Sequence, residues 1–340
     1  MKNLSIINKF IYLLNVIVAV VLLFSYVLPF FPPKTFAILS VLNLGAPFLI
    51  LSNLLFFIYW LIKLKKELIL SLLVLGIGYV FFGSIYKFSS SNNKELSNTI
   101  KVMNYNVRLF NLYDWIPEQG IDTKIVNFVK EQAPDVLCIQ EYHPGKAVDL
   151  SFFKYKFEQV SGNKTKHGQA IFSKFPIINS GSVEFPNTPN NAIFVDIVKD
   201  IDTLRVYNVH LESLRITKDI EHFKNEDSER LINRVGSTFK RQQEQTELFL
   251  EHKKACKYRM VVCSDLNNTA FSYVYREIKS NLNDSFREAG HGYGSTYDLK
   301  FFPVRIDYIF VDKSFTVNSF KTYYEKYSDH YPIMASLSIN

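Results

Sequence analysis

Asp265 and Asn267 close a short apolar run, Met260 to Cys263, in the stretch RMVVCSDLNNTA. A carboxylate can take a proton from water, and an amide can donate to a developing oxyanion. Positions i and i+2 of a strand share a face, so the two side chains are expected to project together. An Asx turn closing the strand would account for an isolated Asp-x-Asn equally well. The pattern recurs along the chain, however. Asn106 ends VMNYN, Glu141 ends DVLCIQE, His210 lies in NVHLES, Asp307 in RIDYIF, and Asp329 and His330 in YSDHYP. Singly, each has an ordinary explanation. Glu141 is then an exposed strand end, Asn106 a turn cap, His210 a satisfied core histidine, Asp307 the partner of Arg305, and Asp329 a cap before Pro332. Together they are apolar or aromatic-rich segments that keep ending in a carboxylate, an amide or an imidazole. Random polar termini would include more Lys, Ser and Thr.

The elements that must position these groups are legible in outline. TIKVMNYNVRLF, GQAIFSKFPI, AIFVDIV, TLRVYNVHLES, RMVVCSDLN, RIDYIFV and the region near YPIMASLSI read as strands. DTKIVNFVKEQAPDVLCIQEY reads as a helix, a proline-marked stop and a strand. A long helix is expected over about 228–255. Strands dominate with helices interleaved, which predicts two sheets with helices packed on their outer faces. The charged segment RITKDIEHFKNEDSERLIN after His210 reads as a solvated loop leading into the long helix, or as a mobile substrate-contacting loop.

The first quarter of the chain has a different composition. Residues 10–31, 35–62 and 68–86 carry no charge, and each reaches the roughly 18–20 residues that cross a hydrocarbon core. They predict three transmembrane helices within an anchor, 1–87, followed by a polar linker, 88–98, and a domain over 99–340. Lys2, Lys9, Lys63, Lys65 and Lys66 flank one side of these spans and Lys34 the other. That bias places the N-terminus inside and the domain on the non-cytoplasmic side. Tyr59 and Trp60 suit an interfacial aromatic belt. No ionisable group except tyrosine lies within the spans, which argues against a transporter or channel. Residues 1–90 hold seven Lys and one Glu, leaving 32 basic and 31 acidic residues beyond them. The overall charge of +7 is therefore mostly topological and no nucleic-acid footprint, although Lys164, Lys166 and Lys174 could form a local basic patch. The three cysteines, Cys138, Cys256 and Cys263, have no metal-site spacing and no disulfide framework.

In order, MNYNVR, CIQE, GQAIFSKFPI, NVHLES, CSDLNN, RIDYIF and SDHYP resemble the endonuclease/exonuclease/phosphatase superfamily, related to the deoxyribonuclease I fold. The match runs from about residue 99 to 340. The HLES form is similar to the tyrosyl-DNA phosphodiesterase branch, but four residues do not carry over that branch's substrate. Ser264 stands where the family usually has Gly, a mild change if the backbone there keeps negative φ. The resemblance implies an α/β fold, a four-layer α/β sandwich with the polar strand ends at one edge. It also implies a Mg²⁺ site, with Mn²⁺ able to substitute, held by Glu141, Asn106 and Asp329. His330 would contact the scissile phosphate or activate water, with Asp307 orienting it. Asp265 would position or deprotonate the water, Asn267 would donate to a non-bridging oxygen, and His210 would be the second imidazole. The expected function is a membrane-integral, Mg²⁺-dependent hydrolase of phosphodiester bonds, with nucleic acid the first-choice substrate. A phospholipid or sphingomyelin phosphodiesterase and a phosphomonoesterase are alternatives of the same fold. A catalytically silent binding or scaffold module is the alternative of another class.

Overall fold

The structure, a computed structural model, describes residues 4–82, 86–88, 99–163, 165–214, 228–299 and 303–339. Contacts divide the chain into two compact units. The first gathers Met1–Ser84, Glu221–Gln243 and Ala270–Arg276, and the second Ile85–Ile220, Glu244–Thr269 and Glu277–Asn340.

In the first unit, helix α1 (Ile6–Val27) starts at Ser5, whose side chain accepts from the Asn8 amide, and stops where Pro29 enters a 3₁₀ turn. Helix α2 (Ala37–Leu42) runs through a second 3₁₀ turn into α3 (Ala46–Ile62), whose first turn holds Pro47. Proline has no amide hydrogen to donate, so the regular helix restarts there. Helix α4 (Leu68–Phe82) follows. Among the described residues, two helical stretches are long and apolar enough to cross a membrane, Ile6–Phe30 and Ala37–Ile62. The third expected span is, over the described residues, a helix of 15 residues, about 22 Å at 1.5 Å per residue. Trp60 does not sit in an interfacial belt. It is fully buried, and its indole donates to Asn15 Oδ1 at 3.1 Å, while Asn15 Nδ2 donates to Ser71 Oγ at 2.8 Å. An apolar surrounding leaves these polar groups no partners except one another, so they tie α1, α3 and α4 together. A side chain at Gly78 would overlap the Tyr26 hydroxyl, so only glycine permits that approach of α4 to α1.

The second unit holds two six-stranded sheets. The first contains β1 (Thr99–Asn106), β2 (Val136–Tyr142), β3 (Tyr155–Ser161), β4 (His167–Ser173), β11 (Phe315–Thr322) and β12 (Ile333–Ile339), in the order β11-β12-β1-β2-β4-β3. The second contains β5 (Ile177–Glu184), β6 (Asn191–Lys199), β7 (Asp202–His210), β8 (Arg259–Asp265), β9 (Asn283–Asp284) and β10 (Asp307–Val311), in the order β5-β6-β7-β8-β10-β9. Each sheet is antiparallel except for one central parallel pair, β1 with β2 and β7 with β8. A parallel pair ends at the edge where its antiparallel neighbour begins. The ends of β1, β2, β7 and β8 therefore share their edges with the start of β10 and the approach to β12.

Alternate residues of the central strands fill the space between the sheets, among them Val102, Val136, Cys138, Val206, Val261, Cys263, Ile309 and Ala335. The opposite face of the first sheet, with Met103, Leu137 and Ile139, packs on helix α5 (Ile121–Gln132) through Ile121, Ile125 and Val129. That spacing is one face of an amphipathic helix. Helix α6 (Ser228–Lys254) matches the expected long helix, and its Phe249 meets Tyr207 of β7 edge-on. Two short helices, α7 (Tyr273–Lys279) and α8 (Ser285–Ala289), complete the set. The expected two sheets flanked by helices are thus present. Most of the charged segment after His210, residues 215–227, lies outside the described residues, as do most of the expected linker and Lys164.

One polar layer interrupts the apolar core just below the strand ends. Gln140 Nε2 donates to both Asn104 Oδ1 and Asn208 Oδ1. Asn104 Nδ2 donates to Ser264 O at 3.2 Å, and Asn208 Nδ2 to Ile139 O at 2.8 Å. Asn104, Gln140, Asn208 and Ser264 are fully buried, so each bond lost would leave a donor or acceptor without water to replace it. The layer links β1, β2, β7 and β8 and thereby fixes one sheet against the other. Asn208→Leu should lower stability by about 3 kcal/mol, because at least two buried partners lose their bonds. Urea unfolding of the full chain should show a reduced midpoint with an unchanged slope.

Candidate active site

Asp265 is the last residue of β8 and is fully buried. Its Oδ1 accepts from the Asn267 amide at 2.8 Å. Its Oδ2 accepts from Asn106 Nδ2 at 2.9 Å and faces His210 Nε2 at 3.7 Å and His330 Nε2 at 3.8 Å. The expected sharing of one strand face by Asp265 and Asn267 does not hold. The strand has ended, and Asn267 sits in the left-handed region at φ +48°. The Asx turn is real and places Asn267 in its own way. The Asn267 side chain donates to Leu211 O at 3.0 Å, and its second amide hydrogen meets no acceptor among the described residues.

Register explains why the other groups arrive here. Asp265 pairs laterally with His210 on one side and with Asp307 on the other. From the other sheet, Asn106 ends β1 beside Glu141, and Asn106 Nδ2 donates to Glu141 Oε1 at 3.1 Å. Glu141 is not a simple strand terminus. It occupies a bulge between Ile139 and Tyr142 with φ +50°. A non-glycine residue held in that region costs of order 1 kcal/mol or more, and such outliers cluster at functional sites. Ser328 Oγ donates to Asn106 O at 2.9 Å and accepts from the His330 amide at 3.2 Å, which ties the approach to β12 onto β1.

His330 Nδ1 lies 3.0 Å from Asp307 Oδ2 and 3.2 Å from Oδ1. Arg305 does not compete for Asp307, because its guanidinium pairs with Asp284 at 2.8 Å. Burial works against charge on His330, but the Asp307 and Asp265 carboxylates outweigh it and raise its pKa to about 10. Burial also pushes Asp307 up, to about 6, while the His330 charge pulls it down and Asp265 pushes it up further. The pair is therefore an imidazolium held by a carboxylate through the neutral range. The Tyr297 ring stands edge-on to His330 with centroids 5.1 Å apart. Burial raises the Tyr297 hydroxyl to about 12, so it stays protonated.

Every candidate from the sequence reaches this edge. Arg108, Ser328, Thr296 and Tyr297 were not singled out there. Arg108 NH1 pairs with Asp329 Oδ2 at 3.1 Å, and its amide donates to Asn106 Oδ1 at 3.0 Å. An arginine two residues beyond Asn106 was the available signal. Thr296 Oγ1 accepts from the amides of Ile306 and Asp307, both at 3.0 Å, a contact between distant segments that carries no local pattern. Ser264 keeps an ordinary strand backbone, so the missing glycine costs no strain. Lys174 is committed to Asp135 at 3.1 Å, which removes one member of the suggested basic patch.

The donor set fits a hard divalent cation. Glu141, Asp265, Asp307 and Asp329 bring four carboxylates to this edge, against one guanidinium and two imidazoles. Among the described residues, the Glu141 carboxylate accepts one hydrogen bond, from Asn106. Oxygen ligands in negative excess are what Mg²⁺ and Mn²⁺ prefer. Asp265, Asp307 and His330 also bring potential ligand atoms within 4.8 Å of one another. In that group Nδ1 of His330 is already bonded to Asp307, so the arrangement reads as a dyad facing a carboxylate.

Comparison with known proteins agrees with this geometry. A sequence profile of the Endonuclease/Exonuclease/phosphatase family matches residues 103–330, and a profile described as a domain of unknown function matches residues 8–85. No curated protein matches the chain. Among solved structures, the catalytic domain of human Nocturnin with bound sulfate is similar at 18% identity and a TM-score of 0.54, over 72% of this chain and 94% of that one. D. rerio TDP2 complexed with single strand DNA product gives 17% identity and a TM-score of 0.51, over 71% and 99%. The mannosyl-6-phosphatase of Bacteroides thetaiotaomicron gives 19% identity and a TM-score of 0.50, over 71% and 100%. At such identities these likenesses establish the fold alone. With the profile spanning most of the chain and every polar strand end at one edge, the protein belongs to the endonuclease/exonuclease/phosphatase family of phosphoester hydrolases.

Proposed function

We propose that the protein is a membrane-anchored, metal-dependent phosphodiesterase whose first-choice substrate is nucleic acid. The observation that carries the reading is Asp265 Oδ2, held in a fully buried carboxylate between Asn106 and two imidazoles. A phosphodiester resists attack because its charge repels nucleophiles and its leaving oxygen is poor. Asp265 takes a proton from water as the water oxygen bonds to phosphorus and the bond to the leaving oxygen breaks. His330 is charged and is already bonded to Asp307. It therefore acts as a donor to a non-bridging oxygen, in preference to a base. His210 and the second amide hydrogen of Asn267 donate from the other side. Glu141 and Asp329 would hold the cation with Asn106. The Asn106 amide presents its nitrogen to Glu141 here, so its part requires rotation of that amide. When bound, the cation would neutralise charge that builds on the phosphoryl oxygens. Phospholipid and phosphomonoester substrates satisfy the same donors, and the apolar unit favours the lipid as the second reading.

The anchor is read with its domain on the non-cytoplasmic side. Within the first unit, residues at the junction of the first two apolar stretches, with Lys34 between them, bind residues from late in the chain. Arg276 Nε donates to Pro29 O at 3.0 Å, the Lys34 amide donates to Gln243 Oε1 at 2.8 Å, and Asn43 Nδ2 donates to Phe271 O. Groups in contact lie on one side of a membrane. The chain between Lys34 and Gln243 must then cross an even number of times, and among the described residues the stretch Ala37–Ile62 and α4 are the apolar helices between them. This supports three crossings, and local thinning of the bilayer can accommodate a span of the 15 described residues of α4. The lysine bias then places this side outside.

Three outcomes are expected. Glu141→Gln keeps shape but removes a ligand charge, and should lower kcat/KM for a DNA phosphodiester in Mg²⁺ by at least about 10²-fold; near-normal turnover would remove Glu141 from the site. Asp307→Asn removes the charge that most favours protonated His330, so the His330 pKa should fall by about 2 units. NMR titration of the imidazole, assigned against His330→Gln, should show the fall, and the alkaline limb of the activity profile should move to lower pH with it. A reporter fused after Asn340 that works only when exported should be active, and one inserted at 63–67 should work only in the cytoplasm. The reverse result would invert the topology.

A further inference from the structure

The segment just beyond β1 is strained and clamped in a way that the proposed chemistry does not use. Arg108, Leu109, Phe110 and Asn111 all have positive φ, between +44° and +60°, and Asp114 adds a fifth at +52°. Left-handed backbone costs roughly 1–2 kcal/mol per non-glycine residue, so a run of four persists only where its surroundings hold it. Two features hold this one. Phe110 and Ile116 pack into the core against α5. The Asn111 side chain closes the loop between them, accepting from the Ile116 amide at 2.9 Å and donating to Ile116 O at 2.8 Å. What the clamp presents is the tip, Leu112–Trp115.

The tip is aromatic and open. Tyr113 is 57% exposed and Trp115 40%, and their rings meet edge-on at 5.2 Å. Exposed apolar side chains scattered singly need no explanation, but two rings fixed together on a rigid loop form a surface. Its place is set by Arg108. The guanidinium lies 4.5 Å from the centre of the Trp115 ring while NH1 pairs with Asp329 at 3.1 Å. The aromatic surface therefore stands one side chain from the phosphate-handling edge, about where the flat ring of a nucleoside would fall if its phosphate were at that edge. A lipid-inserting tip is the other use of exposed aromatics. Here Asp114, itself exposed, separates the two aromatic residues in the sequence, and a carboxylate on the tip opposes entry into acyl chains.

We infer that Tyr113 and Trp115 form a stacking platform for a nucleobase, which makes the substrate a base-bearing phosphoester. This rests on the proposed function for where the phosphate lies. The chain holds two tryptophans, Trp60 and Trp115, so emission reports the platform once Trp60 is subtracted. In the full-length chain in mild detergent, thymidine 5′-monophosphate should quench emission in the wild type and not in Trp115→Phe, and ribose 5-phosphate should quench neither. The ratio of kcat/KM for thymidylyl-thymidine over methyl p-nitrophenyl phosphate should fall about 10-fold in Trp115→Ala and recover in Trp115→Phe, the scale of one base stacked on an aromatic ring. Equal quenching by both phosphates, quenching by neither, or an unchanged ratio in Trp115→Ala would overturn the inference. So would a blue shift of Trp115 emission on phosphatidylcholine vesicles without a nucleotide response. Quenching by the nucleotide in a chain that hydrolyses no phosphoester would support the platform and sink the hydrolase reading instead.

Discussion

A buried carboxylate must find its partners within the protein until substrate and water arrive, and Asp265 is that group here. One oxygen takes the Asn267 amide and the other takes Asn106, with the two imidazoles just beyond hydrogen-bond distance. Each partner comes from a different strand end, so satisfying one anion fixes the relative placement of both sheets at this edge. The polar layer of Asn104, Gln140 and Asn208 sits beneath and repeats the constraint one step down, joining the strands that carry Asn106, Glu141, His210 and Asp265. The remaining charges follow from the same group. His330 stays protonated partly because Asp265 faces it, and Asp307 balances that proton from the other side.

The identity of the chemical groups was legible in the sequence because strand ends are local. An apolar run followed by Asp, Asn, Glu or His can be seen without knowing what lies across the sheet. Layer order was legible for a similar reason, since the period of the apolar residues separates helix α5 from the strands around it. The precise local geometry was not. Glu141 and Asn267 both lie at positive φ, and neither residue type announces that conformation. A bulge or an Asx turn is decided by which neighbour's amide is left without a partner, and that depends on register between strands far apart in sequence. Arg305 shows the same limit. Its nearest acid in the sequence is Asp307, yet its partner is Asp284 from another strand.

The apolar unit illustrates how a polar minority sets packing in an apolar setting. The apolar stretches were readable from uncharged runs, whereas the 3₁₀ break at Asn43–Gly45, just before Pro47, was not. Trp60 suited an interface by its type, but Asn15 supplies a buried acceptor for its indole, and that bond outweighs the interfacial preference. The same unit takes in residues from late in the chain, so its extent could not be read from hydropathy. Gln243 and Arg276 carry no apolar signal; they join it through hydrogen bonds to backbone and amide groups.

Strain is distributed unevenly and meaningfully over the catalytic unit. Positive φ at Arg108 through Asn111, at Glu141 and at Asn267 lies on segments that leave the strand ends, while the strands themselves are regular apart from their bulges. A backbone in these conformations is costly, and it is retained where the buried surroundings leave no alternative. At Glu141 the result is a carboxylate turned toward Asn106, and at Asn267 an amide turned toward Asp265. At Arg108 the result is a side chain that reaches Asp329 and covers Trp115 at once. One residue thereby couples the charged edge to the aromatic tip. A change that relaxed the left-handed turn would move both ends of that link together, so charge placement and ring placement are a single structural variable at this end of β1.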